Sequence, residues 1–132
     1  MKYYSVKCTV ERDGKMKKEL YAVKATDLLN AETTTALELA AENLQEITDV
    51  NKKGYVAVIR NVEDGVDLGG VYYDCTCEWD EVDGKTVKDV YLIQAGSTAI
   101  AEKKLFEIAG DNVEIISTVK KSYIDYLEQI EG

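Results

Sequence analysis

A strand–turn–strand pattern occurs twice in this chain, about 70 residues apart. Tyr3-Tyr4-Ser5-Val6-Lys7-Cys8-Thr9-Val10 aligns with Tyr72-Tyr73-Asp74-Cys75-Thr76-Cys77-Glu78-Trp79. Both lead to one tripeptide, Asp13-Gly14-Lys15 and Asp83-Gly84-Lys85, with one residue inserted in the second copy. Both continue into Tyr21-Ala22-Val23-Lys24-Ala25 and Tyr91-Leu92-Ile93-Gln94-Ala95. Self-similarity at a fixed offset is the mark of an internal repeat. Asp-Gly between alternating apolar strands is a strong hairpin signal.

Alternation sets the strand faces. Tyr4, Val6, Cys8 and Val10 share one face; in the second copy Tyr73, Cys75, Cys77 and Trp79 do. A helical pattern follows each hairpin. In copy one, Asn30 reads as the N-cap, and Leu37, Ala40, Leu44 and Ile47 recur at helical spacing. In copy two the helix starts near Ser97 or Thr98, runs through Ala101, Leu105 and Ile108, and stops at Gly110. Strands are expected at Tyr55–Arg60 and Val113–Val119, and a short terminal helix at Tyr123–Ile130. The expected fold is α+β. Tandem duplicated β-β-α-β units, copies 1–61 and 71–122, form one compact pseudo-symmetric domain over residues 1–132 with mainly antiparallel sheet. The segment 62–70 is an acidic connecting loop.

Composition then limits the chemistry. The chain has 132 residues, enough to bury roughly two-thirds of its unfolded surface without a metal or disulfide. No apolar run reaches the length of a membrane span, and the first residues lack a signal peptide's apolar stretch. A cytoplasmic setting is expected, that of a cell or of an infected host. Three cysteines, Cys8, Cys75 and Cys77, fit reduced thiols packed as small hydrophobes. With no histidine, neither a four-ligand zinc site nor an activated thiol is expected. No cofactor, metal or catalytic set is read from the chain. The net charge of −9 argues against general nucleic-acid binding, which needs a basic surface.

Two groups of residues stand out as surfaces. Leu20, Ala22, Val90 and Leu92 make the second strands apolar on both faces. They imply either a three-layer interior or an interface, homo-oligomeric included, and the interior is favoured. Glu63, Asp64, Asp67, Asp80, Glu81 and Asp83 form a candidate acidic contact surface. The hairpin-tip run Glu78 to Asp83 reads first as a solvated loop, since carboxylates there are free to stay hydrated. Four lysine pairs, at Lys17-Lys18, Lys52-Lys53, Lys103-Lys104 and Lys120-Lys121, read as solvated surface rather than as strand-binding residues. Tyr4, Tyr21, Tyr73 and Tyr91 read as core.

The two openings, Tyr4-Ser5-Val6-Lys7-Cys8 and Tyr73-Asp74-Cys75-Thr76-Cys77, resemble an uncharacterised family of small tandem-repeat proteins encoded by phages and prophages of gut bacteria. So do the Asp-Gly-Lys hairpins and the strands that end in Ala25 and Ala95. This chain departs from that family in its short polar end and the sparse lysines of its second hairpin. The resemblance implies a phage-related context and a non-enzyme. With the acidic charge, the duplicated small domain and the lack of a catalytic set, the expected function is a phage-related, non-enzymatic binding protein acting on a host or phage protein. Two alternatives stand beside it. One is a small-ligand or nucleotide-signal sequestering anti-defence protein, its pocket in a cleft between the copies. The other is a single-stranded nucleic-acid binder.

Overall fold

The computed structural model describes residues 1–81 and 83–130; Val82, which falls within the acidic hairpin-tip run, lies outside the described residues. The first hairpin follows its turn chemistry. Strands β1 (Lys2–Arg12) and β2 (Lys15–Ala25) pair antiparallel from Lys2↔Ala25 to Arg12↔Lys15. Asp13 and Gly14 have φ of 52° and 76°, the left-handed pair that a type I′ turn requires.

Helix α1 (Leu28–Glu38) starts one turn earlier than the sequence pattern places it. Its N-cap is Asp27, not Asn30. The Asp27 carboxylate accepts the Asn30 N–H at 2.8 Å, and Asn30's own amide donates back to Asp27 and to Thr26 Oγ1. The strand ends at Ala25, so Asp27 is the first extended residue able to reach the orphan amides of the first turn. The helix also stops sooner, at Glu38.

Leu44 and Ile47 are not helical. They belong to β3 (Leu44–Lys53), where Leu44, Ile47 and Val50 are half-buried against the core. The period of three comes from two β-bulges. The register against β1 slips between Lys7 and Cys8 and again between Thr9 and Val10. Each slip adds one residue to β3, so inward side chains recur every third position rather than every second.

The chain continues through β4 (Tyr55–Ile59), a small hairpin β5 (Val62–Glu63) and β6 (Val66–Asp67), then β7 (Val71–Asp80) and β8 (Thr86–Ala95). Helix α2 (Thr98–Ala109) is capped by Ser97, whose hydroxyl accepts the Ile100 N–H, and ends at Gly110 with φ of 88°. Strands β9 (Glu114–Lys121) and β10 (Tyr123–Glu128) complete the described chain. The terminal segment is therefore a strand rather than the expected helix. Its register against β2 slips between Tyr123 and Asp125, which again turns a strand into an apparent three-residue repeat.

The protein is α+β and divides into two compact units. Unit one holds Met1–Gly54 and the chain from Tyr123 onward; unit two holds Tyr55–Ser122. Residues 55–61, read from sequence as part of the first copy, thus lie in the second unit. Unit one has a four-stranded sheet ordered β10-β2-β1-β3, and unit two one ordered β4-β8-β7-β9. In each, the three hairpin-side strands are antiparallel and the outer strand next to β2 or β8 is parallel.

That parallel strand comes from the other half of the sequence. Gly54 alone separates β3, in unit one, from β4, in unit two. Ser122 alone separates β9, in unit two, from β10, in unit one. Tyr55 pairs with Val90 and Tyr123 with Leu20, and both strands slip one position directly after that tyrosine.

Each unit buries one sheet face under its helix. In unit one, Tyr4, Val6, Cys8 and Val10 pack with Tyr21, Val23, Ala31, Leu39 and Leu127. In unit two, Tyr73, Cys75 and Cys77 pack with Tyr91, Ile93, Ala101 and Leu105. Burying each valine, leucine or isoleucine among them contributes about 1.5–3 kcal/mol. Leu37 and Ile108, read as helix-core positions, are exposed. The opposite face of the sheets also holds buried residues: Ser5, Ala22 and Tyr126 in unit one, and Tyr72, Leu92 and Gln94 in unit two. Of the four apolar residues singled out on that face, Ala22 and Leu92 are buried, and Leu20 and Val90 half-buried.

Candidate functional site

The two units differ on the helix-covered face, at the hairpin end of the sheet. In both, β1 or β7 places a buried cysteine opposite a carboxylate on the next strand: Cys8↔Glu19 and Cys77↔Asp89. Two residues on, β2 and β8 present Tyr21 and Tyr91. The helix C-terminus overhangs this place.

In unit one the site is filled from within. Arg12, at the end of β1, grips Glu19 through Nε at 3.2 Å and Nη2 at 2.9 Å, and reaches Glu42 through Nη1 at 3.1 Å. Tyr21 Oη donates to Glu19 at 2.9 Å. Leu39, the helix C-cap, is buried beside them. A cavity of about 190 Å³ remains, lined by Arg12, Tyr21, Leu39 and Glu42 among others. The Arg12 hydrogen bond holds the Glu19 carboxyl below its ordinary pKa, while burial and Glu19 push the Tyr21 phenol up.

A carboxylate with a depressed folded pKa stabilises at neutral pH, and that contribution is lost as pH falls through the depressed value. The urea midpoint is therefore expected to drop with acidification below the ordinary carboxylate range. In Glu19→Gln the acid slope should be visibly shallower. Equal slopes for the two proteins would contradict the assignment.

In unit two the same place is open. The position of Leu39 is held by Ala109, and the position of Arg12 by the carboxylate Glu81. The result is a cleft of about 480 Å³ lined by Cys77, Trp79, Asp89, Tyr91, Ala109 and Asn112 among others. Trp79 Nε1 donates to Asp89 Oδ2 at 2.8 Å, which fixes the indole against the carboxylate. Among the described residues no ion pair reaches Asp89. Burial and then the Asp89 charge push the Tyr91 phenol up.

Two shallower clefts share the Trp79–Asp80 wall. One is bordered by Glu81 and Asp83 at the hairpin tip, the other by Glu78, Asp111 and Glu114. Among the described residues, no lysine or arginine lines any of the three.

The acidic residues singled out in sequence fall into two groups. Asp80, Glu81 and Asp83 are exposed around this cleft; Thr86 Oγ1 donates to Asp80 at 3.2 Å, and Lys85 lies 3.9 Å from Asp83. Glu63, Asp64 and Asp67 sit on the β5–β6 hairpin, near the other end of β7. Ten strand residues separate those ends by roughly 30 Å. Asp67 is already paired with Arg60 at 2.9 Å. The lysine pairs are not uniformly solvated either. Lys104 Nζ donates to Asn61 Oδ1 at 2.8 Å and to the Gln94 carbonyl at 3.2 Å, which ties α2 to the sheet.

The three thiols are fully buried. Burial first, and then Glu19 or Glu102, raises Cys8 and Cys75 to about 11 from an ordinary value of 9.0. Cys77 is raised by burial and by Asp89. Such thiols are neutral and poor nucleophiles near neutrality. Native protein should react slowly with a thiol reagent, and all three cysteines should react at once in denaturant. Because the folded pKa values are raised, stability should be intact below pH 9 and decline as pH rises toward about 11. A fast-reacting thiol in native protein would overturn the burial argument.

Among the described residues no group of three or more His, Cys, Asp or Glu is placed to hold a metal ion, and no helix is long and apolar enough to cross a membrane. Trp79, Asp89 and Ala109 were not singled out as site residues from sequence. The usable signal was the comparison of the two copies position by position, with arginine and leucine in one and glutamate and alanine in the other. Among the described residues, the fold is α+β and this cleft is open, acidic and aromatic-walled. No protein-family model matches the chain, and no curated protein matches it.

Proposed function

We propose that this protein is a phage-related, non-enzymatic binding protein built by tandem duplication, which grips a basic segment of a host or phage protein at the hairpin end of its second unit. The observation that carries this reading is the charge of the clefts around Trp79. Carboxylates border all three, and among the described residues no lysine or arginine lines them. Such a concave, one-sign surface attracts cations and speeds their encounter. It repels phosphate, which weighs against the nucleotide-signal and single-strand alternatives at this place. The shared strand order of the two sheets and the matched slips of β4 and β10 support the duplication.

The test is comparative capture. Full-length protein and the variant Asp80→Asn/Glu81→Gln/Asp83→Asn are each immobilised and exposed to host lysate at near-physiological salt. A basic protein retained by the first and lost from the second is the expected result. Identical retention by both would count against the reading.

A further inference from the structure

The open cleft of unit two has a counterpart that shows what fits it. At the corresponding place in unit one, a guanidinium sits against the β2 carboxylate, held by Glu19 and Glu42 beside Tyr21. Unit two keeps the carboxylate as Asp89 and the phenol ring as Tyr91. It places Trp79 where unit one has Val10, and Asn112 also lines the cleft. It lacks the arginine, and Ala109 leaves vacant the room that Leu39 takes in unit one. We propose that the Trp79–Asp89–Tyr91 cleft binds a guanidinium group supplied from outside the chain, in the place that Arg12 fills in unit one.

The chemistry of the walls suits that cation. Asp89 offers the planar acceptor that a guanidinium engages, and its bond from the indole N–H holds it in place. Trp79 and Tyr91 offer ring surfaces, of which indole attracts cations best. Asn112, on the same cleft, offers a neutral amide oxygen. Phosphate and carboxylate ligands would meet Asp80 and Asp89 without a compensating cation. The guanidinium has two sources, a free guanidino compound or an arginine side chain of a protein. The second rests on the protein-binding reading above and names the residue that the partner inserts.

Trp79 is the chain's one tryptophan, so its fluorescence reports the cleft directly. Full-length protein is titrated with agmatine, with the capped tripeptide Gly-Arg-Gly, and with the same peptide carrying neutral citrulline. Sodium chloride at matched ionic strength is the blank. Saturable quenching or a shift of the emission maximum is expected with a guanidinium ligand below about 10 mM, and none with citrulline. Saturation by agmatine as tightly as by the peptide assigns a free compound; saturation by the peptide alone assigns a protein arginine.

Asp89→Asn keeps an oxygen for the indole N–H and should weaken binding about tenfold or more. Ala109→Leu, which installs the leucine that unit one carries at this place, should abolish binding while leaving the unfolding midpoint near that of the wild type. A response to citrulline equal to that to arginine overturns the proposal. So does the absence of any response beyond the salt blank in a folded protein. If charge-dependent capture of a basic protein persists alongside that absence, the partner is held without an arginine in this cleft. If capture is also lost, both readings fall.

Discussion

Replacing Leu105 with alanine is expected to lower the stability of the protein by about 2–5 kcal/mol, the cost of a fully buried leucine replaced by a cavity. Leu105 is the large anchor of α2. It is completely buried among Tyr73, Cys75, Ile93 and Ala101, with no second large side chain on the helix to take its place. The loss should appear as a lower urea midpoint at unchanged slope. Glu107, on the same helix, provides the control. Its side chain is exposed and charged, and Glu107→Ala should change the stability by less than about 0.5 kcal/mol. Comparable effects at the two positions would mean that α2 is not seated on the sheet through Leu105.

The second large effect is expected at Gly70, where the chain turns into β7. Its φ of +117° is one that side-chain-bearing residues rarely adopt. A Cβ built there falls 2.8 Å from the Ala95 carbonyl oxygen and 2.9 Å from its carbon, both backbone atoms at the end of β8. Strain and clash together should cost Gly70→Ala roughly 2–4 kcal/mol, a fall in Tm on the order of 10 °C. Gly54 is the matching control. Nothing lies within 4 Å of its virtual Cβ, and the equivalent joint before β10 already carries Ser122. Gly54→Ala should be close to neutral. A large loss at Gly54 with little at Gly70 would reverse the roles given to the two glycines.

The candidate cleft illustrates how small a difference between the two units separates a filled place from an open one. The two units present the same strand pairings at this end, with Cys8↔Glu19 and Cys77↔Asp89 in register. Among the differences at the second are alanine where the first has a capping leucine, and glutamate where it has an arginine. Neither residue is unusual by composition or motif. Ala109 reads as a good helix former and Glu81 as part of a solvated acidic turn. Their meaning comes from what stands opposite them, which sequence spacing does not encode.

The amino-acid sequence by itself determined the hairpins, the strand faces and the ends of α2. Those rest on local physics: an Asp-Gly pair able to adopt positive φ, strict alternation, a serine cap and a glycine stop. It also placed Tyr4, Tyr21, Tyr73 and Tyr91 in the cores, where they are found. Strands β4 and β9 are legible in the sequence too, whereas only the tertiary structure decided that β3 and β10 are strands. Bulges in β3 and β10 change the spacing of inward residues from two to about three, so those strands imitate helices when read alone. The partners of β4 and β10 are more distant still. Lys52-Lys53-Gly54-Tyr55 and Lys120-Lys121-Ser122-Tyr123 mark the two crossings as a repeated motif, yet no local rule says that each strand leaves its own half of the sequence. That choice is made by which sheet edge is open to accept a parallel strand, a property of the folded units rather than of the segment that joins them.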